Sequence, residues 1–374
     1  MAFLFISNLH HILPFKFPVP KSPFNSDTSS FCYFSKQTIF LIKPPPQQQQ
    51  QQQTLVRCPW LIKVTQNPNG KPQLSNPFHL DTYPHNPFHH RHVLDFNKFS
   101  VLQLRTIFIF DYHFTQAYQS YDGGYMFPGY LVAVTSREHQ KPLVIGAFSG
   151  AESVMFKCGD ENWKVIPDMS SYLGDICLFK GQPYVVDKIG RTVMVGWDSS
   201  VQLVAEPLVG GGGYNKFLVE SEGDLLLADV YDCSYTEFPN YDPVRIDLFK
   251  LDEKEKKWVQ LTSLGDRVLL LEESCSFSVS ASDLHIAHGN CVIFEDNIFK
   301  PYTYKLPQTC ILHLDDGRIS LLDDCHEYDN LFWPPPEWII PTSPEWIILT
   351  TSRVDHPEYV TEYVLLHPRI SNVI

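Results

Sequence analysis

The stretch Asp175–Asp198, DICLFKGQPYVVDKIGRTVMVGWD, decides the fold class of this chain. Its short runs of Val, Ile, Phe and Tyr are separated by two turn pairs, Lys180-Gly181 and Gly190-Arg191. Each apolar run is long enough for one strand, and each glycine stands where a hairpin turn needs a positive φ. The apolar residues have no helical spacing, so the stretch predicts consecutive antiparallel strands.

The same pattern continues through most of the chain. Strand-sized apolar runs bounded by Gly, Pro, Asn or Ser occur at Trp60–Val64, Thr106–Phe110, Tyr130–Ser136, Leu143–Phe148, Ser153–Lys157, Phe217–Tyr231, Arg245–Leu261 and Cys310–Leu322. The 29 prolines argue against long helices. The sequence therefore predicts an all-β fold.

An internal similarity predicts that this fold is a repeat. Phe156–Trp163 and Phe249–Trp258 each end a strand in an acidic turn and open the return strand with a tryptophan. Their spacing of about 95 residues equals two blades of roughly 45–50 residues each. The interval from Thr54 to Trp333 then holds about six blades of a kelch-like β-propeller, within a range of five to seven. A β-sandwich, with fewer and more regular strands, is the alternative.

The two ends of the chain differ from its middle. Residues 1–53 are Pro-rich and contain the tract Gln47–Gln53, which has too little apolar area to offset its ordering entropy. We expect this region to be largely disordered, with one possible strand at 37–42. The propeller is then predicted over 54–338 and an irregular tail over 339–374, where the pentapeptide at 336–340 recurs at 344–348.

Charge and cysteine usage restrict the class of partner. The chain has 42 acidic and 29 basic residues, a net charge of −13, which disfavours nucleic acid as the main partner. No apolar run is long enough for a membrane span, and the first residues lack the basic start of a secretory signal. Nine cysteines without a C-x-x-C pair suggest reduced thiols. We expect an intracellular protein of the nucleus or cytoplasm that binds neither nucleic acid nor membrane.

Two clusters could suggest a bound metal or phosphate. Five histidines lie close together, at His79, His85, His89, His90 and His92. They sit among Pro and Asn without a cysteine or paired carboxylate, so a solvated loop is the better interpretation. Gly210–Gly213 joins two strand-like runs and lacks the Gly-Lys-Ser/Thr and following helix of a phosphate-binding loop, which indicates a flexible connection.

Candidates for catalysis are equally weak. The pairs Asp315-Asp316, Asp323-Asp324 and Glu272-Glu273 could supply an acid and a base, but Asp315-Asp316-Gly317 is explained as a type I′-like hairpin turn. Ser276 and Ser278 belong to a strand, and His288 stands in a turn. We therefore assign no catalytic, cofactor-binding or metal-binding residue and no cofactor. The residues that bind a partner are not indicated. Trp60, Trp163 and Trp258 are interpreted as buried blade anchors.

Several motifs together resemble one known family. Asn290–Asp296 is similar to its NCIYF-x-D signature, and Ser263–Leu271 with Cys275–Ser280 is similar to its SLGDRALFLG…SFSVSA block. The Asp175–Asp198 hairpins, Phe217–Ser221 and Trp333–Pro336 follow in the expected order. From about Gln37 to Trp338 the chain resembles plant F-box proteins with a KIB-type β-propeller, the SKIP-type F-box proteins.

The resemblance implies a substrate receptor. In such proteins an F-box docks on a Skp-type adaptor of a cullin ubiquitin ligase, and the propeller presents a target protein. The alternatives are a stand-alone interaction propeller without a ligase link and, from a different class, a propeller enzyme acting on sugars. The resemblance itself argues for a protein that is not an enzyme.

The chain departs from the family at its start. An F-box is a helical unit of roughly fifty residues with regularly spaced apolar positions, and residues 1–36 are too short and too rich in proline to form it. The family places that unit just before Met1. We expect adaptor and cullin binding only where an F-box precedes this chain.

Overall fold

The structure, a computed structural model, consists almost entirely of antiparallel β-sheet. It describes residues 16–19, 30–44, 58–66, 72–78, 99–110, 128–134, 142–148, 152–157, 159–170, 173–210, 212–231, 245–272, 275–298, 308–328, 331–332 and 336. The predicted all-β propeller is confirmed.

The strands group into successive blades. Blade 1 contains β2 (Ser30–Lys43), β3 (Trp60–Gln66), β4 (Pro72–Ser75) and β5 (Ser100–Phe110), with the short β1 (Lys16–Val19) paired to the start of β2. Blade 2 contains β6 (Pro128–Val134), β7 (Leu143–Phe148), β8 (Ser153–Lys157) and β9 (Lys164–Val165). Blade 3 contains β10 (Leu173–Phe179), β11 (Gln182–Asp187), β12 (Thr192–Val195) and β13 (Val201–Ala205). Blade 4 contains β14 (Asn215–Ser221), β15 (Asp224–Val230), β16 (Ile246–Asp252) and β17 (Lys257–Leu261).

Blade 5 has a different order of strands. It contains β18 (Arg267–Leu271), β19 (Phe277–Ser280), β20 (Cys291–Glu295), β21 (Thr309–His313) and β22 (Ile319–Leu321). The chain crosses from β19 to β20 through the short helix α1 (Ala281–Leu284), so that β18 lies between them, antiparallel to β19 and parallel to β20. The hydroxyl of Ser280 accepts the Asp283 N–H and begins the helix. Three short 3-10 turns follow, at Asp296–Ile298, Leu322–Asp324 and His326–Tyr328.

The prediction of about six blades was wrong: the described residues form five. Blade 1 explains the difference, because it runs from Ser30 to Phe110 and is much longer than the predicted blade. Long stretches of sequence separate β4 from β5 and β5 from β6, and the sequence count treated those residues as part of another blade.

Five inner strands close the ring. β5 hydrogen-bonds to β6 through two residue pairs, which joins blades 1 and 2 into one sheet. β6 then contacts β10, β10 contacts β14, β14 contacts β19, and β19 contacts β5. Each blade therefore meets two neighbours, and the apolar core lies between blades. One cluster, for example, combines Phe179 and Tyr184 of blade 3 with Leu218 and Trp258 of blade 4.

The turn chemistry of the sequence explains the hairpins. Lys180 and Gly181 have φ of 48° and 76°, the pair of positive values that a two-residue hairpin needs. The two similar segments of the sequence fall on the last two strands of blades 2 and 4, so they are two blades apart as predicted.

The tryptophan predictions had mixed outcomes. Trp60 and Trp258 are buried, at 1% and 8% exposure. Trp163 is only half-buried, with its ring centre 5.3 Å from that of Phe156. It precedes the short edge strand β9, whose two residues are exposed, so it lies at the outer edge of blade 2.

Residues near the end of the chain hold blade 1 to blade 5. The Leu61 N–H donates to the Leu331 carbonyl at 2.8 Å, and Trp60 Nε1 donates to the Phe332 carbonyl at 2.6 Å. The Phe332 ring packs on Phe78, with ring centres 5.2 Å apart. We call Leu331 and Phe332 the clasp. Blade 1 is built from one continuous part of the chain, so among the described residues it takes no strand from the end of the chain. The clasp holds the first and last blades together instead.

The clasp gives a first testable prediction. Trp60→Phe keeps a six-membered aromatic ring but removes the smaller ring of the indole with its donor to the buried Phe332 carbonyl, so we expect a loss of about 1–3 kcal/mol in the free energy of unfolding. Hydrogen exchange at the Leu61 amide should also become faster. Trp197→Phe is the matched control, since Trp197 Nε1 donates at 3.1 Å to Gly181 within blade 3. If both variants changed Leu61 exchange equally, the clasp would have no special role in closure.

Some of the predicted features fall within the described residues and others outside them. The strand expected at 37–42 lies within β2. The glutamine tract, the five histidines, Glu273 and the repeated pentapeptide lie outside the described residues, apart from Pro336. The domain limits at 53 and 338 and the kelch-like character of the blades stay predictions. In the described part of the chain, no helix has the length and apolar character needed to cross a membrane.

Candidate protein-binding surface

Arg105 joins four blades at the centre of the ring. It lies on β5 of blade 1, and one guanidinium nitrogen donates to the carbonyls of Ser276 and, at 3.3 Å, Leu218. The other terminal nitrogen donates to the Ile176 carbonyl at 3.3 Å. These acceptors belong to blades 5, 4 and 3. The planar fork of arginine suits this task, because its donors point in several fixed directions.

Further polar contacts connect the same inner strands. The buried carboxylate of Asp175 accepts the Ile176 N–H at 2.7 Å and the Leu218 N–H at 2.8 Å, which links blade 3 to blade 4. The hydroxyls of Ser221 and Ser278 lie 2.9 Å apart and link blade 4 to blade 5. Polar groups at the ring centre thus connect the blades.

The serine candidates and two buried cysteines lie within this structural network. Burial raises the pKa of the Cys177 thiol to about 11 and that of the Cys275 thiol to about 12, so both stay protonated near neutral pH. The Ser276 hydroxyl donates to the Glu272 carbonyl at 3.0 Å and accepts the Glu272 N–H at 3.1 Å. Ser278 accepts from Arg267 Nε at 3.1 Å.

The acidic pairs lie in separate connections. Between β21 and β22, Asp315 accepts from the Asn290 side chain at 2.6 Å, and Asp316 accepts the Arg318 N–H at 2.9 Å. The predicted type I′-like turn was wrong here, because only Gly317 has a positive φ and the connection is longer than two residues. Asp323 and Asp324 are exposed in a 3-10 turn after β22.

His288 is exposed in the connection between α1 and β20. Within the described residues, no group of three or more His, Cys, Asp or Glu side chains is arranged to hold a metal ion. The assignment of no catalytic, cofactor or metal residue stays a prediction.

The glycine-rich connection between β13 and β14 is firmly held at its end. Lys216 and Asp229 are fully buried and form an ion pair of 2.5 Å, and Lys216 Nζ also donates to the Gly213 carbonyl at 2.8 Å. A Cβ at position 213 would collide with the Asp229 carboxylate. Gly213 is therefore required for close approach of the backbone to this pair, and the flexible connection predicted from the sequence is anchored here.

The turn between β11 and β12 is also held rigidly. The fully buried Asp187 carboxylate accepts the N–H groups of Ser170, Ile189 and Arg191 at 2.9–3.0 Å. The Gly190 carbonyl in this turn accepts the indole N–H of Trp258 at 2.9 Å. Trp258 belongs to blade 4, so this bond joins the turn to the neighbouring blade. The turn is thus fixed to the protein at two points.

Exposed apolar and aromatic side chains lie on these two anchored connections. Ile189 is 47% exposed, Val209 is fully exposed and Tyr214 is 44% exposed. The Ile189 carbonyl accepts the Leu208 N–H at 2.9 Å, which places Val209 beside the turn. Lys188 Nζ lies 4.6 Å from the centre of the Tyr214 ring.

A second cation–aromatic pair continues the surface into blade 4. The Arg245 guanidinium lies 4.2 Å from the centre of the Tyr231 ring. The Tyr231 hydroxyl accepts the Gly212 N–H at 3.5 Å, which ties this pair to the glycine-rich connection. We define the blade 3–4 surface as Lys188, Ile189, Val209, Tyr214, Tyr231 and Arg245.

This surface has the composition of a protein-binding site. Tyrosine and arginine are enriched among the residues that contribute most to protein–protein binding, and clustered exposed apolar groups mark interaction surfaces. Because the supporting turns are held by buried hydrogen bonds, binding here costs little ordering entropy. The sequence did not reveal the surface, since exposure of Ile189 and Val209 depends on how two blades meet.

Comparisons with known proteins agree with this architecture. The family model described as KIB1-4 beta-propeller matches residues 31–319, from the start of β2 to the start of β22. F-box protein SKIP23 of Arabidopsis thaliana is 32% identical over 328 residues, covering 82% of this chain and 79% of the relative. F-box protein At2g17036 of the same plant is 30% identical over 350 residues, covering 88% and 83%. Putative F-box/kelch-repeat protein At5g24040, also from Arabidopsis thaliana, is 27% identical over 212 residues, covering 55% and 56%.

Proposed function

Because this chain belongs to the KIB1-4 beta-propeller family, we propose that it is a protein-binding receptor that recruits a target protein through its propeller. The observation that carries this proposal is the blade 3–4 surface, where exposed apolar and aromatic groups stand on turns fixed by the buried Asp187 and Lys216. A rigid scaffold that presents such groups is suited to binding another polypeptide. Its partners are then proteins, not nucleic acids or membranes.

The proposed ligase link rests on the relatives. F-box protein SKIP23 and F-box protein At2g17036 carry an F-box in their names. We propose that this propeller acts in the same kind of complex, with a Skp-type adaptor and a cullin, where an F-box unit is present. The protein itself then performs no catalysis and needs no cofactor, and it works in the nucleus or cytoplasm. The alternative is a stand-alone interaction propeller, which would compete for the same target without ubiquitin transfer.

The test compares two baits: residues 1–374 and the same residues fused behind the F-box of F-box protein SKIP23. We expect the fused chain to retain a Skp-type adaptor in a pull-down, while residues 1–374 retain little or none, because residues 1–36 are too short and proline-rich for an adaptor-binding helical unit. Proteins captured by both baits should have shorter half-lives in cells that express the fusion and longer ones with residues 1–374 alone.

Two results would contradict the proposal in different ways. Equal adaptor capture by both baits would contradict the expectation that adaptor binding requires the added F-box. If captured proteins kept their half-lives with the fusion, the receptor function would fail and the stand-alone propeller would be favoured.

A further inference from the structure

We infer that Lys216 and Asp229 become joined by a covalent isopeptide bond between strands β14 and β15. The two residues lie directly opposite each other in the antiparallel ladder of blade 4. Lys216 Nζ is 2.5 Å from an Asp229 carboxylate oxygen, so it stands close to the Cγ carbon that carries this oxygen. Groups that a protein holds this closely react as if at very high concentration. The inference does not depend on the proposed receptor function.

Burial separates this pair from a second lysine–aspartate pair on the same blade. The side chains of Lys216 and Asp229 are both 0% exposed, whereas those of Lys250 and Asp224, which lie 2.7 Å apart, are each 45% exposed. Water stabilises both charges of an exposed pair. In a fully buried pair, transfer of one proton from the ammonium to the carboxylate converts two costly charges into a neutral amine and a carboxylic acid, the forms that can react.

The hydrogen bonds around the carboxylate also favour an amide. Two other buried carboxylates accept backbone N–H groups, three at Asp187 and two at Asp175. Within the described residues, neither oxygen of Asp229 has a hydrogen-bond donor beyond its contact with the lysine. An amide keeps only one of these oxygens, and its N–H donates to the Gly213 carbonyl, which already lies 2.8 Å from Nζ. Bond formation therefore reduces the number of buried polar atoms without a partner.

The reaction balances without another reactant. The Lys216 ammonium gives one proton to the Asp229 carboxylate, and the neutral nitrogen attacks Cγ. A C–N bond forms and a C–O bond breaks. The departing oxygen carries the transferred proton, takes a second proton from the nitrogen and leaves as water. Nothing is oxidised or reduced, so the folded chain alone suffices.

Intact-mass spectrometry of the full chain, denatured and reduced, tests the inference. We expect a mass about 18 Da below the value calculated from the sequence, which is the loss of one water. Digestion after glutamate cuts the chain at Glu220 and Glu222, between the two linked residues. The fragment that contains Lys216 should then remain joined to the fragment that contains Asp229.

Three variants locate the bond. Lys216→Arg keeps a positive charge but replaces the amine by a permanently protonated guanidinium group, so the mass loss and the joined fragments should both vanish. The double variant Lys216→Met, Asp229→Leu should give the same result in a folded chain, because apolar side chains commonly replace a buried ion pair without loss of stability. Lys250→Arg is the matched control and should lose water as the unmodified chain does. Thermal melting checks that the variants are folded.

Three results would overturn the inference. The first is the full calculated mass with separate fragments for the unmodified chain, and the second is joined fragments that persist in Lys216→Arg. The third is a loss of water without joined fragments, which would assign the loss to a cyclised aspartate such as that of Asp316-Gly317. Because the mass measurement needs no partner, failure of the adaptor and half-life experiments would leave the isopeptide bond standing.

Discussion

Replacing Arg105 by methionine is expected to lower the free energy of unfolding by about 3–5 kcal/mol. Methionine keeps an unbranched stem of similar length, so the loss reports mainly the guanidinium group. That group donates to carbonyls of Ile176, Leu218 and Ser276, each in a different blade. Hydrogen bonds from a charged donor contribute about 1.5–3 kcal/mol each, and a partly exposed centre lowers the sum.

Equilibrium unfolding in urea measures this effect, and Arg318→Met is the control. Arg318 is an exposed arginine whose ion pair with Asp316 is 3.5 Å long, so its loss should cost less than about 0.5 kcal/mol. A broader transition in Arg105→Met would further indicate that the blades unfold less cooperatively. An Arg105→Met midpoint equal to that of the control would show that the central arginine does not hold the ring together.

Trp258→Ala is expected to destabilise the protein by a similar amount, about 3–5 kcal/mol. The side chain is 8% exposed and packs in the core between blades 3 and 4. Its removal leaves a cavity there and also leaves the Gly190 carbonyl without the indole donor. Trp258→Phe, which loses the indole donor and the smaller ring but keeps a six-membered ring, should cost less, about 1–3 kcal/mol.

Trp163→Ala provides the comparison, because Trp163 is half-buried at the edge of blade 2 and should cost clearly less. The measurement is again urea unfolding. A Trp258→Ala protein as stable as Trp163→Ala would contradict the anchor role.

Local features of the fold were predictable from the sequence because they depend on near neighbours. The bounds of β7 and β8 match the predicted runs Leu143–Phe148 and Ser153–Lys157. The Lys180-Gly181 pair gave its turn correctly, since only a few residue types tolerate positive φ. The family resemblance was confirmed by a match over residues 31–319.

Features that depend on distant residues were not predictable. The blade count was wrong because blade 1 alone extends from Ser30 to Phe110, which is longer than the roughly 45–50 residues assumed for each blade. Arg105 carried no signal, since a single arginine in a strand reveals nothing about three carbonyls from other blades. The sequence also presented Gly213 as part of a flexible connection, whereas its role comes from the buried pair of Lys216 and Asp229.

The clasp has a consequence for how this protein is made. Trp60 and Phe332 are separated by 272 positions, so the contact between them can form only long after blade 1 has been synthesised. Until then the nascent chain holds the strands of all five blades without the clasp between blades 1 and 5. We expect ribosome-bound chains that stop before Leu331 to resist proteases less well than chains that extend beyond Phe332.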